Sequence, residues 1–326
     1  MLEPEMIAFV ERMSRFYPDD RAASTLANQR ANYARAAAAF TPPLPDGVTT
    51  HDAPFTSPDG HTFNVRLYAP AERMRSTGTV LFFHGGGFVV GSLDSHDLIT
   101  ARIAADTGLH VVAVDYRLAP EHPAPAAHDD CLAVTRAALD GRLPFGSLPH
   151  SLQLAGDSAG GTLAASVALR LRDEGVKGVK GAKGVKGVKG AKGVRGLALV
   201  YPMLGIEPQL PARETEATAP MLTLADVRRY GALYWGDRAR DHAWTVPLEA
   251  SHYEGLPPTL SIGVEHDPLR DDGRVFAERI RAAGGQAHAP VGVGLVHGSW
   301  RALATSPGVQ WMHREVCEFL IRHASD

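Results

Sequence analysis

The 326-residue chain is short of several things, and each shortage closes off a class of function. It has two cysteines, Cys131 and Cys317, far apart in sequence. That excludes a disulfide-stapled fold and a cysteine zinc site, and it points to free thiols in a reducing cytoplasm, either one readable as a small core filler. No His-Glu-x-x-His string occurs, so no metal and no cofactor are expected. No apolar run reaches the roughly 18 residues of a membrane span. The start, Met1-Leu2-Glu3-Pro4-Glu5-Met6, is acidic and lacks the basic-then-apolar order of a secretion signal. An excess of one charge sign is missing too: the net charge of −3 gives no general attraction to nucleic acid, and none is expected as a partner.

What is present is enough apolar material for one large domain with an accessory element, at 44% hydrophobic residues. Short buried-type strands are predicted at Thr79–Phe83, Val111–Val114, Leu197–Val200 and Thr259–Val264, with an alternating one over Phe63, Val65 and Leu67. Helical stretches lie between them, the alternation of a mostly parallel α/β sheet. Met6, Val10, Met13 and Tyr17 fall on one helical face, and a second helix is predicted from about Ser24 to Phe40, ended by Pro42 and Pro43. Thr223 and Asp226 read as a capping-box-like start for a helix through Val227, Tyr230, Leu233 and Tyr234 to Gly236.

The most informative segment runs from Leu152 to Leu171: an apolar strand, then Gly156-Asp157-Ser158-Ala159-Gly160, then a helix of small residues. Taken alone, Gly-x-Ser-x-Gly is a glycine-rich turn that many chains contain by chance. Between a strand and a helix it lifts a serine hydroxyl onto a sharp bend, with the first amides of the helix aimed at the same point. A serine needs a base, and the tetrahedral oxyanion needs donors. The strand Thr79–Phe83 runs into His84-Gly85-Gly86-Gly87, whose amides are unshielded. Gly86, Gly87 and Ala159 are the first candidates for the oxyanion hole. Gly85 is included with them, although shaping the turn suits it better. A phosphate cradle would continue as Gly-Lys-Ser/Thr, and Phe88-Val89-Val90 does not.

These strings, with Gly91-Ser92-Leu93-Asp94-Ser95-His96 and Asp115-Tyr116-Arg117-Leu118-Ala119-Pro120-Glu121-His122-Pro123, occur in one order from about Phe63 onward. In that order the chain resembles the bacterial hormone-sensitive-lipase-like esterases (family IV), the branch with Gly-Asp-Ser-Ala-Gly-Gly at the nucleophile. The resemblance implies an α/β-hydrolase fold under a helical cap. It divides the chain into cap residues 1–45, core 46–202, cap 203–246 and core 247–326. It also implies a serine carboxylesterase acting on small-molecule esters with short acyl chains, on the order of two to eight carbons for a compact pocket, and a family that often forms homodimers. Amide hydrolysis or acyl transfer would use the same residues. A ligand-binding relative would have lost the histidine.

Chain order in this superfamily puts acid and base after the serine. Asp267 follows the strand at Thr259–Val264, with Pro268 stiffening the turn behind it. Glu265, Asp271 and Asp272 compete, the last two reading better as partners of a helix dipole. The resemblance also favours Asp267. Among fifteen histidines, His297 in Gly294-Leu295-Val296-His297-Gly298 is the base expected, after a strand predicted at Ala287–Val291. His128, His288 and His313 read as packed or solvated, and His84 as a support of the glycine loop.

One stretch departs from the family. From Gly175 to Gly196 every third residue is glycine, in Val-Lys-Gly and Ala-Lys-Gly units with six lysines and Arg195. Collagen would need proline, and a helix would lose about 1 kcal/mol per interior glycine. A loose surface loop is expected. Docking to an anionic surface is the functional alternative. Because loop closure costs only about 0.6 kcal/mol per doubling of length, replacing Val176–Val194 by a short Gly-Ser linker should leave turnover of a soluble ester within about two-fold, or ~0.4 kcal/mol. Steady-state kinetics checks this; a large fall would give the tract a role in catalysis.

Overall fold

The computed structural model describes residues 1–17, 24–70, 78–146, 148–149, 151–175, 193–205, 210–236 and 243–324. The body of the lysine–glycine tract, 176–192, lies outside them. Two helices open the chain, α1 (Pro4–Ser14) and α2 (Leu26–Phe40), the latter capped by the Thr25 side chain on the Asn28 amide. Then come β1 (Val48–Thr56), β2 (Thr62–Pro70), β3 (Gly78–Phe83), α3 (Asp97–Thr107), β4 (His110–Val114), α4 (Ala126–Leu139), β5 (Ser151–Asp157), α5 (Ala159–Asp173) and β6 (Val194–Val200). The short α6 (Pro211–Thr215) and α7 (Leu224–Trp235) precede β7 (Thr259–His266), α8 (Arg270–Ala282), β8 (Ala287–His288), β9 (Val291–Val296) and α9 (Pro307–Arg322).

The strands form one sheet in the order β1-β2-β4-β3-β5-β6-β7-β8, with β9 also on β7. β1, β2 and β4 pair antiparallel, and every pairing from β4 and β3 onward is parallel. The period of two shows in the packing. Leu81, Phe83, Val112, Val114, Leu154 and Leu199 join one core with α4 and α5 residues such as Cys131, Val134, Leu163 and Val167. Val80, Phe82, Val111, Ala113, Val200 and Ile262 join a second with Ile99 and Ile103 of α3 and Met312 and Val316 of α9. Strands covered by helices on both faces carry apolar residues at consecutive positions, so they read as runs rather than alternations.

Two strands differ most from the extents expected of them. The strand expected at Leu197 begins at Val194, already paired with Leu152. The strand expected over Ala287–Val291 is two pieces, because Pro290 interrupts it. Proline has no amide for a ladder; its carbonyl instead accepts from Gly263 N at 3.0 Å. The longer piece, β9, is the one that leads into His297. The capping box is present, Thr223 and Asp226 serving each other's backbone.

The amino-terminal arm is fastened to the far end of the chain. Glu3 N donates to Gly294 O at 3.0 Å, and the Glu3 carboxylate accepts from Gly308 N at 2.9 Å and from the Ser306 hydroxyl. Elsewhere, Asp272, in the first turn of α8, is fully buried. It accepts from Leu204 N (2.9 Å), Gly205 N (3.0 Å) and the Arg213 guanidinium (2.8 Å). Burial pushes its carboxyl up to about 6 against the pull of Arg213 and those amides. This cluster ties the exit of β6 and α6 to α8. Arg213→Met leaves a buried carboxylate without its cation and should destabilise the protein by about 3–5 kcal/mol. The denaturation midpoint in urea, read by tryptophan fluorescence, measures the loss.

Candidate active site

Because β3, β5, β6, β7 and β9 run the same way, their carboxyl ends meet at one edge of the sheet, the place where open α/β sheets bind ligands. β5 ends at Asp157 and α5 starts at Ala159, leaving Ser158 alone to make the turn at φ 53°, ψ −121°. That backbone region is unfavourable for any residue with a side chain, and strain of this kind gathers at functional sites. The turn is held by Ser158 N donating to Val200 O at 2.9 Å. Gly160 is obligatory: a Cβ there would sit 1.8 Å from Phe83 O.

The three residues expected to work together do meet. His297 Nε2 lies 2.8 Å from Ser158 Oγ, and His297 Nδ1 lies 2.7 Å from Asp267 Oδ2. Asp267 is fully buried, and its other oxygen accepts from Leu269 N at 2.8 Å, which fixes the carboxylate plane. His297 packs its ring against Tyr201 at 4.7 Å between centroids. The competing acids are engaged elsewhere. Glu265 accepts from Gly294 N at 2.7 Å, a bond that holds its carboxyl below the usual range. Asp271 accepts from Ala212 N at 2.9 Å, and Asp272 is committed to Arg213. Asp271 and Asp272 do occupy the first turn of α8, but their main contacts tie α8 to the segment after β6 rather than only complementing its dipole. Of the histidines set aside, His128 is bonded to the Tyr234 hydroxyl, His313 to Asp106 and Trp300, and His288 is exposed.

The glycine loop requires one correction. Gly85 does not present its amide to the pocket: it donates to Asp157 Oδ1 at 2.9 Å, and His96 Nε2 lies 3.3 Å from the same oxygen. It anchors the loop and is not an oxyanion donor. Gly86 and Gly87 line the cavity with Ser158 and His297. Gly86 O accepts from Val89 N and Val90 N at 3.1 and 3.0 Å, which closes the loop on itself. Gly87 sits at φ +60° under the Tyr230 ring, where a Cβ would come within 2.5 Å of Cγ. Ala159 opens α5, where the first amides have no intrahelical partner. His84 supports the loop as expected. Its Nδ1 is 2.8 Å from Gly85 O, and its carbonyl accepts from the Tyr116 hydroxyl at 2.6 Å. Burial and the neighbouring His96 push the His84 imidazole down to about 3, so it stays neutral.

Nothing in the motif spacing gives a role to Asp157, the variable residue of the turn, or to His96, Tyr116 or Arg301. The first three stand inside strings noted for their order, which was the available signal. Asp157 is buried, yet its carboxyl lies below the usual range. Burial alone would raise it; His96, Arg301 and the Gly85 amide more than offset that.

The cavity has a volume of about 130 Å³. Its floor holds Ser158, His297, Gly86 and Gly87; α2 supplies Gln29, Asn32 and Tyr33, and α7 supplies Val227 and Tyr230. These two helices are joined by Arg229 donating to Gln29 at 3.0 Å. Arg30 of α2 reaches Val89 O (2.9 Å), Ala119 O (3.1 Å) and Glu121. Phe88 stacks on Tyr234 at 3.8 Å.

What the sheet presents at this edge is an α/β-hydrolase arrangement, and residues 80–301 match the family described by that fold. Esterase LipI of Mycobacterium tuberculosis is 39% identical over 221 residues, 67% of this chain and 64% of LipI. Carboxylesterase NlhH of the same organism is 36% identical over 238 residues, 72% of this chain and 70% of NlhH. The solved structure of a hyperthermophilic esterase from Pyrobaculum calidifontis superposes with a TM-score of 0.85 at 26% identity, covering 99% of each chain. The chain belongs to the hormone-sensitive-lipase-like esterases of the α/β-hydrolase superfamily.

The Asp157 carboxylate carries a testable load. Asp157→Ala leaves the Gly85 amide buried without its acceptor, a loss of about 1–3 kcal/mol, and frees the loop that positions Gly86 and Gly87. The expected result is a fall in kcat of about tenfold or more with KM changed less. Unchanged kcat would mean that the loop holds its shape without this bond.

Proposed function

We propose that this protein is a serine carboxylesterase that hydrolyses small-molecule esters of short acyl chains through an acyl-enzyme. The observation that carries the reading is the unbroken hydrogen-bond line from Ser158 Oγ through His297 to Asp267, at 2.8 and 2.7 Å. Ser158 attacks the ester carbonyl as His297 Nε2 takes its proton. Asp267 holds the ring with Nδ1 protonated and stabilises the imidazolium. The oxyanion forms against the amides of Gly86, Gly87 and Ala159. The tetrahedral intermediate collapses, the alcohol leaves with the proton from His297, and water repeats both steps on the acyl-enzyme. None of these steps calls for a metal or cofactor.

Residues 1–45 and 203–246 act in this proposal as a two-part cap over the acyl pocket; α2 and α7 both line the cavity, and Arg229 joins them to each other. The limited cavity favours acyl chains on the order of two to eight carbons. A cytoplasmic setting fits Cys131 and Cys317, both buried and unpaired. No helix among the described residues is long and apolar enough to cross a membrane. The net charge of −3 gives no reason to expect nucleic acid as a partner. Homodimerisation is part of the same reading, supported by Val291 and Val293 of β9, which are 38% and 75% exposed on an outer strand.

Three comparisons test it. Ser158→Ala should abolish labelling by a fluorophosphonate and cut hydrolysis of p-nitrophenyl butyrate by several orders of magnitude; labelling that persisted on another serine would remove Ser158 from the role. Asp267→Asn should fold normally and lower turnover about a thousand-fold or more. Near-normal activity there, with loss in Glu265→Gln or Asp271→Asn, would move the acid. Faster turnover of the matching p-nitroanilide than of the ester would recast the enzyme as an amidase.

A further inference from the structure

Beside the serine, the cavity wall carries a polar pair that hydrolysis of a plain alkyl ester does not use. Tyr33 of α2 and Arg301, in the 3-10 turn that follows His297, both line the pocket with Ser158. They meet across 268 positions of sequence. Arg301 Nη2 donates to Tyr33 Oη at 3.0 Å, Nη1 donates to Ser95 O, and the guanidinium lies 5.1 Å from the Tyr33 ring centroid. Arg301 is only 7% exposed. A guanidinium has five N–H donors, and both acceptors that these bonds reach are uncharged.

The Tyr33 hydroxyl, having accepted from Arg301, keeps its own proton to donate. Burial raises its phenol above the usual range against the pull of Arg301, so the proton stays at neutral pH. Among the described residues no acceptor takes it. This stretch of wall therefore offers donors without matching acceptors. The nearby charge is already balanced, since Asp157 and Arg301 act on each other through space. An added carboxylate would leave the site negative where the oxyanion must develop. An uncharged oxygen would accept from the pair without that penalty.

We propose that Tyr33 and Arg301 form a specificity anchor for an uncharged oxygen acceptor on the substrate, an ether, keto or hydroxyl oxygen that a plain alkyl ester lacks. The inference rests on the carboxylesterase reading and narrows its substrate class. A site built to hydrogen-bond a substrate oxygen disfavours the analogue without it, because its own buried groups are then left unpaired.

The test compares kcat/KM for p-nitrophenyl hexanoate with its 4-oxa analogue, and for heptyl acetate with 2-butoxyethyl acetate. One pair places the ether oxygen on the acyl side, the other on the alcohol side. Comparing the wild type with Tyr33→Phe cancels the intrinsic reactivity of each ester. In one of the two series the oxygenated-to-alkyl ratio should fall about three- to tenfold, the range of one neutral hydrogen bond. Arg301→Lys, which keeps the charge and loses the planar fork, should lower the same ratio. Ratios unchanged in both series in Tyr33→Phe would overturn the proposal. So would a wild-type preference for monoethyl succinate over ethyl butyrate, since the anchor would then be selecting a carboxylate. Failure of the wild type to hydrolyse any of these esters, with no fluorophosphonate label on Ser158, would overturn the carboxylesterase reading and this inference together. Label and turnover with flat ratios would overturn this inference alone.

Discussion

A single buried carboxylate holds together the two loops on which the site depends. Asp157 is the last residue of β5, one position before the strained serine, and its side chain fixes the Gly85 amide at the end of β3. The two strands are neighbours in the sheet. One residue thereby couples the serine elbow to the loop bearing the candidate oxyanion donors. Burying an ionised carboxyl is costly unless its oxygens are hydrogen-bonded and its charge is answered. Here an amide and His96 supply the bonds, and Arg301 answers the charge from a later segment. A residue at 157 with no side-chain acceptor would remove the desolvation cost and also the bond that sets one loop against the other.

Support widens outward from that point. The His84 carbonyl is fixed by Tyr116 and the Gly86 carbonyl by Val89 and Val90. Phe88 is clamped by Tyr234, and Arg30 pins α2 to the backbone on either side. Helices that cover the pocket are thus bonded to the loop that forms its floor. A shift of α2 or α7 would be felt at Gly87, over which Tyr230 packs with no space for a methyl group.

Much of this was legible in the sequence, for identifiable reasons. The serine turn and the glycine loop are local, set by spacings of a few residues, and the steric demand at Gly160 leaves no alternative residue. Asp267 and His297 follow from chain order and from strand ends in a parallel sheet. What was not legible depends on long-range pairing. Whether Gly85 or Gly86 faces the pocket is decided by the Asp157 acceptor 72 positions away. The Tyr33–Arg301 contact joins residues 268 positions apart and has no sequence signature. The break between β8 and β9 comes from Pro290, whose effect on the ladder follows from its missing amide. Of the acids near the end of β7, Glu265, Asp271 and Asp272 could be separated from Asp267 only once their amide partners were known.

The fastening of Glu3 to Gly294, Ser306 and Gly308 has a consequence for the order of assembly. In synthesis from the amino end, α1 and α2 emerge well before the residues that receive Glu3, Ser306 and Gly308 lying 303 and 305 positions further on. Until they emerge, the buried face of α1, with Met6, Phe9 and Met13, has Phe40 of α2 against Phe9 but lacks β9 and the turn after His297. Tyr33 likewise waits for Arg301. The arm whose residues line the cavity is fastened only when the segment carrying His297 is in place, so a truncated nascent chain would lack both the proposed base and this wall of the pocket.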